Sequence, residues 1–318
     1  MDRAHSLPRN PGLCEERTVL RLHLPPEGRR TRPGFGCPRT EHSLIDIGAN
    51  LLNPAFDADR QEVLRRAGAA GVDTIVLTGT NVASSRAAAD FASQHRAGGG
   101  GTEGDSLDGP CPRLLATAGV HPHDAAAVRA GWDHDIAALA DRAKVVAIGE
   151  TGLDYYRNFS PRDKQHAVFR RQVELAVLLN MPLFVHDRDS EGDTRGVLAD
   201  YRDDLTRCVI HCFTGNADDL EGYVDDGYYI GITGWICDER RGGQLMELVR
   251  QIPGDRLLIE TDAPYLLPRN IVPRPRSRRN EPAFLTWVAD RVARCRDEDP
   301  RSVERQTRLN AMRFFGIV

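Results

Sequence analysis

The 318-residue sequence lacks the features of several specialised protein classes. Its seven scattered cysteines include no CxxC pair, which argues against a thiolate zinc site and a disulfide framework. The longest stretch without a charged residue or histidine, Thr74 to Ser85, has 12 residues, whereas a membrane helix needs about 20. Acidic residues (46) outnumber Lys and Arg (42), so the whole chain does not attract polyanions. We therefore expect a cytoplasmic protein that spans no membrane and whose nucleic-acid site, if it has one, is local.

The composition is otherwise that of an ordinary folded protein, with 41% hydrophobic and 28% charged residues. Residues 1–42 differ, because they mix arginines, prolines and acids without apolar alternation or the apolar segment of a secretory signal. We expect a leader there that is disordered or has no native-like fold. Residues 97–112 are Gly-rich and polar, which predicts a surface insertion. The rest, 43–318, is predicted to be a single domain.

Short apolar, β-prone runs alternate with amphipathic segments from Leu44 onward. Eight runs are predicted to be strands: 44–48, 74–80, 114–120, 145–150, 182–187, 208–213, 228–233 and 257–262. Helical spacing of apolar residues predicts helices at 60–70, 82–95, 163–180 and 242–252, with closing helices at 282–296 and 300–315. Eight strands alternating with helices indicate a (β/α)8 TIM barrel of the α/β class. An open doubly wound sheet is the alternative, but no GxGxxG turn follows the first run.

Residues with ligand chemistry lie in these runs or just after them, and barrel active sites form at the strand ends. The residues are Asp46, His121, His123, Glu150, His186, His211 and Asp262. Two imidazoles and two carboxylates form a mixed nitrogen and oxygen set suited to Zn²⁺, Mn²⁺ or a similar ion and tolerable for Mg²⁺. This set is Glu150, His186, His211 and Asp262. The alternative is that each residue is a hydrogen-bonded group at the rim. We favour a metal for the set because charged groups gathered without a cation are poorly solvated.

Other residues near the predicted mouth have the chemistry of phosphate and base recognition. His121 and His123 are two residues apart, so an extended backbone turns both side chains toward one phosphate or oxyanion. Five arginines follow the last run, and guanidinium groups match phosphate oxygens: Arg269, Arg274, Arg276, Arg278 and Arg279. Aromatic residues after strand ends, such as Tyr155, could stack on bases. The alternatives are ordinary loop histidines, a solvated basic loop and aromatic rings packed under loops.

Several runs, in order, resemble the TatD family of metal-dependent deoxyribonucleases, in its TatD-proper branch, within the amidohydrolase-like barrels. They are IDIGANL, AGVHPHD, IGETGLDYYRNF, NMPLFVHDRD, HCFTG, YYIGITGWICDERR, LLIETDAPYLLP and SRRNEP, and the match extends from about Leu44 to Gly316. The resemblance implies metal ligands at Glu150, His186, His211 and Asp262. It also implies hydrolysis of phosphodiester bonds in DNA, often by a 3′ to 5′ exonuclease acting on single strands with Mg²⁺.

The resulting hypothesis is a hydrolase in which one divalent ion lowers the pKa of a bound water and polarises the scissile phosphate. The ion is Mg²⁺ as the resemblance implies, with Mn²⁺ or Zn²⁺ as alternatives. Asp262 takes the proton, and Glu150 can bridge to an ion held loosely by Asp46. His123 and the arginines orient the phosphate of a single-stranded DNA partner. Two functions stay open beside it: hydrolysis of an amide or ester, such as an aminoacyl-tRNA ester, and a non-catalytic binding barrel.

Overall fold

Eight parallel strands, each hydrogen-bonded to the next in chain order, form a barrel in the computed structural model, which describes residues 43–95 and 110–317. The strands are β1 (Leu44–Ala49), β2 (Val72–Leu77), β3 (Arg113–Ala118), β4 (Val145–Asp154), β5 (Leu183–Arg188), β6 (Cys208–His211), β7 (Tyr229–Ile232) and β8 (Leu257–Ile259). The first and last strands join through backbone bonds from Asp262 to Gly48 (2.9 Å) and from Asn50 to Ala263 (2.7 Å). The predicted TIM barrel is confirmed, and all eight predicted strands are present.

Helices surround the strands. They are α1 (Arg60–Ala69), α2 (Val82–Gln94), α3 (Trp132–Ala140), α4 (Arg162–Leu178), α5 (Asp193–Ala199), α6 (Ala217–Asp225), α7 (Gly243–Leu248), α8 (Leu285–Arg296) and α9 (Pro300–Phe315). Helix α8 begins later than predicted because Pro282–Phe284 forms a 3-10 turn. Among the described residues, no helix combines the length and apolar character needed to cross a bilayer. The predicted leader, and the predicted insertion up to residue 109, lie outside the described residues.

Side chains alternate between the barrel interior and the layer between strands and helices. The interior holds Ile45, Ile47, Val76, Leu115, Phe184, Val209 and Leu258, one or two from each of six strands. Helix α9 closes the end of the barrel where the strands begin. The ring of its Phe314 packs against the ring of Tyr229 at the start of β7, with the two ring centroids 5.2 Å apart. The mouth at the opposite end, where the strands finish, is therefore the place for a site.

Candidate active site

Strand geometry turns a set of ionisable side chains toward the mouth. His186 on β5 is two residues after the interior residue Phe184, and His211 on β6 is two residues after Val209. Because side chains two apart on a strand lie on the same side, both histidines point into the barrel. On β4 the pairing register shifts between Ile148 and Thr151. This irregularity reverses the alternation and brings Glu150 to the interior side.

The Glu150 carboxylate lies at the centre of these side chains. It is buried, and one of its oxygens, Oε1, faces three imidazoles. The distances to Oε1 are 3.3 Å from His121 Nε2, 3.1 Å from His186 Nδ1 and 2.7 Å from His211 Nε2. The structure therefore brings together Glu150, His186 and His211 as the sequence predicts, and adds His121 to them.

Two carboxylates that sequence reasoning missed hold the outer nitrogens of these rings. Asp154 Oδ2 lies 3.3 Å from His186 Nε2, and Glu260 Oε2 lies 3.4 Å from His211 Nδ1. A carboxylate that accepts the outer N–H leaves the inner nitrogen with a free lone pair. Once a cation replaces the protons on the inner nitrogens of both rings, these nitrogens face Glu150 in the form that binds a metal. Glu260, two residues before Asp262 in the run LLIETD, was visible as a second acid of that run.

The contacts within this cluster shift the pKa values of its members. Burial raises the pKa of Glu150, but the imidazoles of His211 and His121 outweigh burial and hold that pKa well below its usual range. Burial lowers the pKa of His186, but Asp154 and Glu150 raise it to about 9. The polypeptide alone therefore holds the cluster as carboxylate and imidazolium pairs, and a bound cation replaces protons.

Asp262 lies at the same mouth, just after β8. Its Oδ1 accepts a 3.1 Å hydrogen bond from the side-chain amide of Asn50. Burial, together with the negative charges of Glu150 and Glu260, raises the pKa of Asp262 to about 8 although His211 opposes the shift. Without a cation the Asp262 side chain is therefore largely protonated at neutral pH, and it becomes a proton acceptor after a bound cation has displaced that proton.

His121 and His123 lie side by side, as their spacing predicts, with ring centroids 4.2 Å apart. The His123 backbone N–H donates to His121 Nδ1 (3.1 Å), so a neutral His121 ring carries its proton on Nε2. His123 Nε2 lies 2.8 Å from Asp154 Oδ2, which fixes the orientation of that ring. A neutral His121 is consequently a hydrogen-bond donor toward the centre of the cluster, and its Nε2 would bind a cation only if the ring proton moved to Nδ1.

Asp46 does not join the cluster. It alternates along β1 with the interior residues Ile45 and Ile47, so its side chain leaves the opposite side of the strand. There its two oxygens accept the backbone N–H (2.9 Å) and the hydroxyl (2.5 Å) of Thr261. The expected loose metal site at Asp46 is thus corrected: the residue ties β1 to the end of β8.

The arginines expected to bind substrate divide into paired and exposed groups. Arg279 donates to Asp59 (2.7 Å) and Glu281 (2.7 Å), and Arg269 lies 3.1 Å from Asp238. These ion pairs give Arg279 a structural role, because it connects the segment after β8 to the segment before α1. Arg278 is exposed on the same segment.

Tyr155 faces away from the mouth. Its hydroxyl donates to Asp193 (2.7 Å), and Arg162 lies 3.8 Å from its ring centroid. The reason is again alternation: Asp154 points inward, so Tyr155 turns outward against the helices. Its neighbour Tyr156, which is 60% exposed, lies at the rim where the sequence predicts Tyr155.

The cluster opens into a cleft of about 480 Å³ at the mouth. Among its lining residues are Asn50, His121, His123, Glu150, His186, His211, Asp262 and Tyr265. This volume is within the usual range for a small-molecule or nucleotide site. These polar and ionisable groups come from six strand ends.

The donor atoms fit a divalent cation. Ligand atoms of His121, Glu150 and His186 all lie within 4.8 Å of one another, which is the spacing of groups that share one ion. Imidazole nitrogens with carboxylate oxygens suit Mn²⁺, Zn²⁺ and similar ions, and the carboxylates also accept Mg²⁺. The residues therefore form a candidate metal site.

Comparison with known proteins places these features in a family. A family model described as TatD related DNase matches residues 45–316. The protein named 3′-5′ ssDNA/RNA exonuclease TatD in Salmonella typhimurium is 44% identical over 275 residues, which are 86% of this chain and 100% of the relative. The protein of the same name in Citrobacter rodentium is 46% identical over 274 residues, covering 86% and 98%.

Solved structures agree with the fold. A TatD family hydrolase from Entamoeba histolytica superposes with a TM-score of 0.74 at 25% identity, covering 86% of this chain and 98% of that one. A TatD homologue from Escherichia coli gives a TM-score of 0.76 at 24% identity, covering 88% and 100%. Both comparisons support the barrel fold.

Proposed function

Because the chain belongs to the family of TatD-related DNases, we propose that it is a hydrolase that removes nucleotides from the 3′ end of single-stranded DNA. The observation that carries the proposal is the convergence of two imidazoles, oriented by outer carboxylates, on Glu150 Oε1 at the mouth of the barrel. The exonuclease names of the relatives support the direction and the single-strand preference. The five free thiols among the described residues support a cytoplasmic location.

Glu150, His186 and His211 would hold the cation, with Asp262 at the edge of the same cleft. When bound, the cation supplies a Lewis acid that lowers the pKa of water and polarises a phosphate oxygen. We propose Mg²⁺, which the family resemblance implies, and Mn²⁺ and Zn²⁺ are the alternatives that the nitrogen donors favour. Asp154 and Glu260 accept the outer N–H groups of the two histidines, so the inner nitrogens stay aimed at Glu150 and would give up their protons to the cation.

The other residues of the cleft bind the phosphate and move protons. Asp262 accepts the proton of the attacking water, since one of its oxygens remains for that bond when Asn50 occupies Oδ1. His121 donates its Nε2–H toward a phosphate oxygen, in the tautomer that the His123 backbone imposes. His123, held by Asp154, makes the second contact to the phosphate. Together these donors stabilise the charge that develops during cleavage.

The test is digestion of single- and double-stranded DNA labelled at the 5′ end, with Mg²⁺, Mn²⁺, Zn²⁺ or a chelator. We expect a ladder that shortens from the 3′ end, is faster on single strands and is abolished by the chelator. Glu150→Gln should lose at least about a hundredfold in kcat/KM, because the central oxygen charge is gone. Glu174→Gln, on the outer face of α4, is the matched control. Hydrolysis of an aminoacyl ester without any cleavage of DNA would refute the proposal.

A further inference from the structure

Five side chains at the barrel mouth form a line in which guanidinium groups alternate with aromatic rings, and we call it the stacking row. Its members are Arg157, Tyr156, Arg188, Trp235 and Arg241. The guanidinium carbons of Arg157 and Arg188 lie 5.5 and 4.8 Å from the Tyr156 ring centroid. Those of Arg188 and Arg241 lie 5.5 and 4.8 Å from the Trp235 ring. The row thus extends from the end of β4 past the end of β5 to the turn after β7.

The stacking row lies next to the metal cluster. Arg188 is two residues after His186 on β5, so both side chains leave the same side of the strand. The two residues of separation place Arg188 about 7 Å further along the strand, toward solvent. The Tyr155 backbone N–H donates to the Arg188 carbonyl (2.9 Å), which fixes the position of Arg188 against β4. A substrate held at the cluster therefore meets Arg188 as it leaves.

The charges of the row are available to an anion. In residues 43–95 and 110–317, no carboxylate lies within ion-pair distance of Arg157 or Arg188, whereas Arg279 and Arg269 are both paired. Arg241 lies 3.0 Å from Asp238, which anchors the far end of the row. Guanidinium groups held on aromatic faces without a carboxylate keep their capacity for phosphate.

Both rings of the row keep surface that solvent can reach. Tyr156 is 60% exposed, and Trp235 is half-buried and packs against the hydrophobic core. Aromatic faces beside unpaired cations are the arrangement that binds single-stranded nucleic acid, because every base has a face that can stack and every nucleotide carries a phosphate. A duplex hides its base faces, so the row is complementary to single strands only.

We propose that the stacking row binds the nucleotides on the 5′ side of the scissile bond, with bases on Tyr156 and Trp235 and phosphates on Arg188 and Arg157. This inference rests on the proposed function, because a 3′ exonuclease holds the rest of its strand on that side. The row accounts for a preference for single strands. It also predicts that binding strengthens with each of the first nucleotides beyond the cleaved one.

The test is binding of fluorescent single-stranded DNA, eight nucleotides long with phosphorothioate linkages that resist cleavage, to the metal-loaded protein. We expect Trp235→Ala and Arg188→Ala each to raise Kd about tenfold for this probe, and less for a dinucleotide. Arg188→Ala should also make the slope of log K against log salt concentration less steep by about 0.7, which is the contribution of one phosphate contact on a single strand. Trp235→Ala should leave this slope unchanged. Trp235→Phe keeps a stacking face and should restore most of the affinity.

The matched control is Arg256→Ala, which removes an arginine stacked 5.2 Å from the Tyr229 ring at the opposite end of the barrel. We expect it to bind both probes as the wild type does. Equal losses on the dinucleotide and the longer probe, normal binding by both row variants, or a wild type that does not bind the probe would overturn the inference. Length-dependent losses in a protein that cleaves no DNA with any metal would support the row and refute the nuclease function instead.

Discussion

Glu260 gives the sharpest prediction about the metal cluster. It is fully buried, and its two oxygens have separate tasks: Oε1 accepts the Cys212 backbone N–H (2.6 Å), and Oε2 faces His211 Nδ1 (3.4 Å). Glu260→Gln keeps the shape of the side chain but leaves only one accepting oxygen. If that oxygen stays on Cys212, the amide NH₂ points at His211 and moves the ring proton to Nε2, the atom that would bind the cation.

The expected magnitude follows from this exchange of protons. Loss of a carboxylate behind a metal-binding histidine costs about 10- to 100-fold in metal affinity, which is about 1.4–2.7 kcal/mol. We expect Glu260→Gln to raise the metal concentration that gives half-maximal nuclease activity by this factor. Isothermal titration of the chelator-treated protein measures the same loss without the reaction.

Glu247→Gln, at an exposed position of α7, is the control for removal of one negative charge. Its metal affinity should equal that of the wild type. A Glu260→Gln protein that melts like the wild type and binds metal within twofold of it would show that Glu260 does not set the tautomer of His211.

Three further predictions concern stability and the site. Asp46→Ala should lower the unfolding free energy by about 1–3 kcal/mol, because it leaves the buried Thr261 N–H unpaired. The variant should bind as much metal as the wild type, and loss of the metal would show that Asp46 is a ligand. Hydrogen bonds from Arg279, opposed by burial, lower the pKa of Asp59 to about 2, so its stabilisation is complete above pH 4 and disappears as the pH falls toward 2. Asp59→Asn should therefore lower the midpoint of urea unfolding at pH 6 but not at pH 2. Because the Asp59 side chain is about one third exposed, we expect a loss of about 1 kcal/mol in unfolding free energy at pH 6. Phe184→Ala should cost about 3–5 kcal/mol in thermal unfolding, since the ring fills the barrel interior; a loss below 1 kcal/mol would contradict that packing.

The fold could be predicted because buried parallel strands are short apolar runs separated by helical patterns. The convergence of Glu150, His186 and His211 could be predicted for the same reason, since each lies where an apolar run ends. Asp46 could have been excluded from the sequence, because the apolar residues on either side of it, Ile45 and Ile47, already mark the interior side of β1. The prediction at Asp46 depended on its residue type and its strand, without regard to the side of the strand on which it lies.

Other parts of the site depend on information that local patterns do not contain. The register shift in β4 extends that strand to Asp154, and nothing in the run VVAIGETGLD indicates where the alternation reverses. Ion pairs such as Arg279 with Asp59 join residues 220 positions apart, so their partners are decided by the folded chain. A sequence can therefore identify candidate basic residues, but only the fold shows which of them have no acidic partner and can bind a substrate.

The spacing along β4 makes the site sensitive to a very small genetic change. Glu150 and Asp154 are four residues apart and both face the barrel interior, so deleting one residue between them would turn Asp154 outward beneath the helices while Glu150 stays in place. His123 and His186 would then lose the carboxylate that orients them, although the hydrophobic interior formed by the other strands would survive. A frame-preserving loss of a single codon there would therefore impair the reaction while leaving the barrel intact.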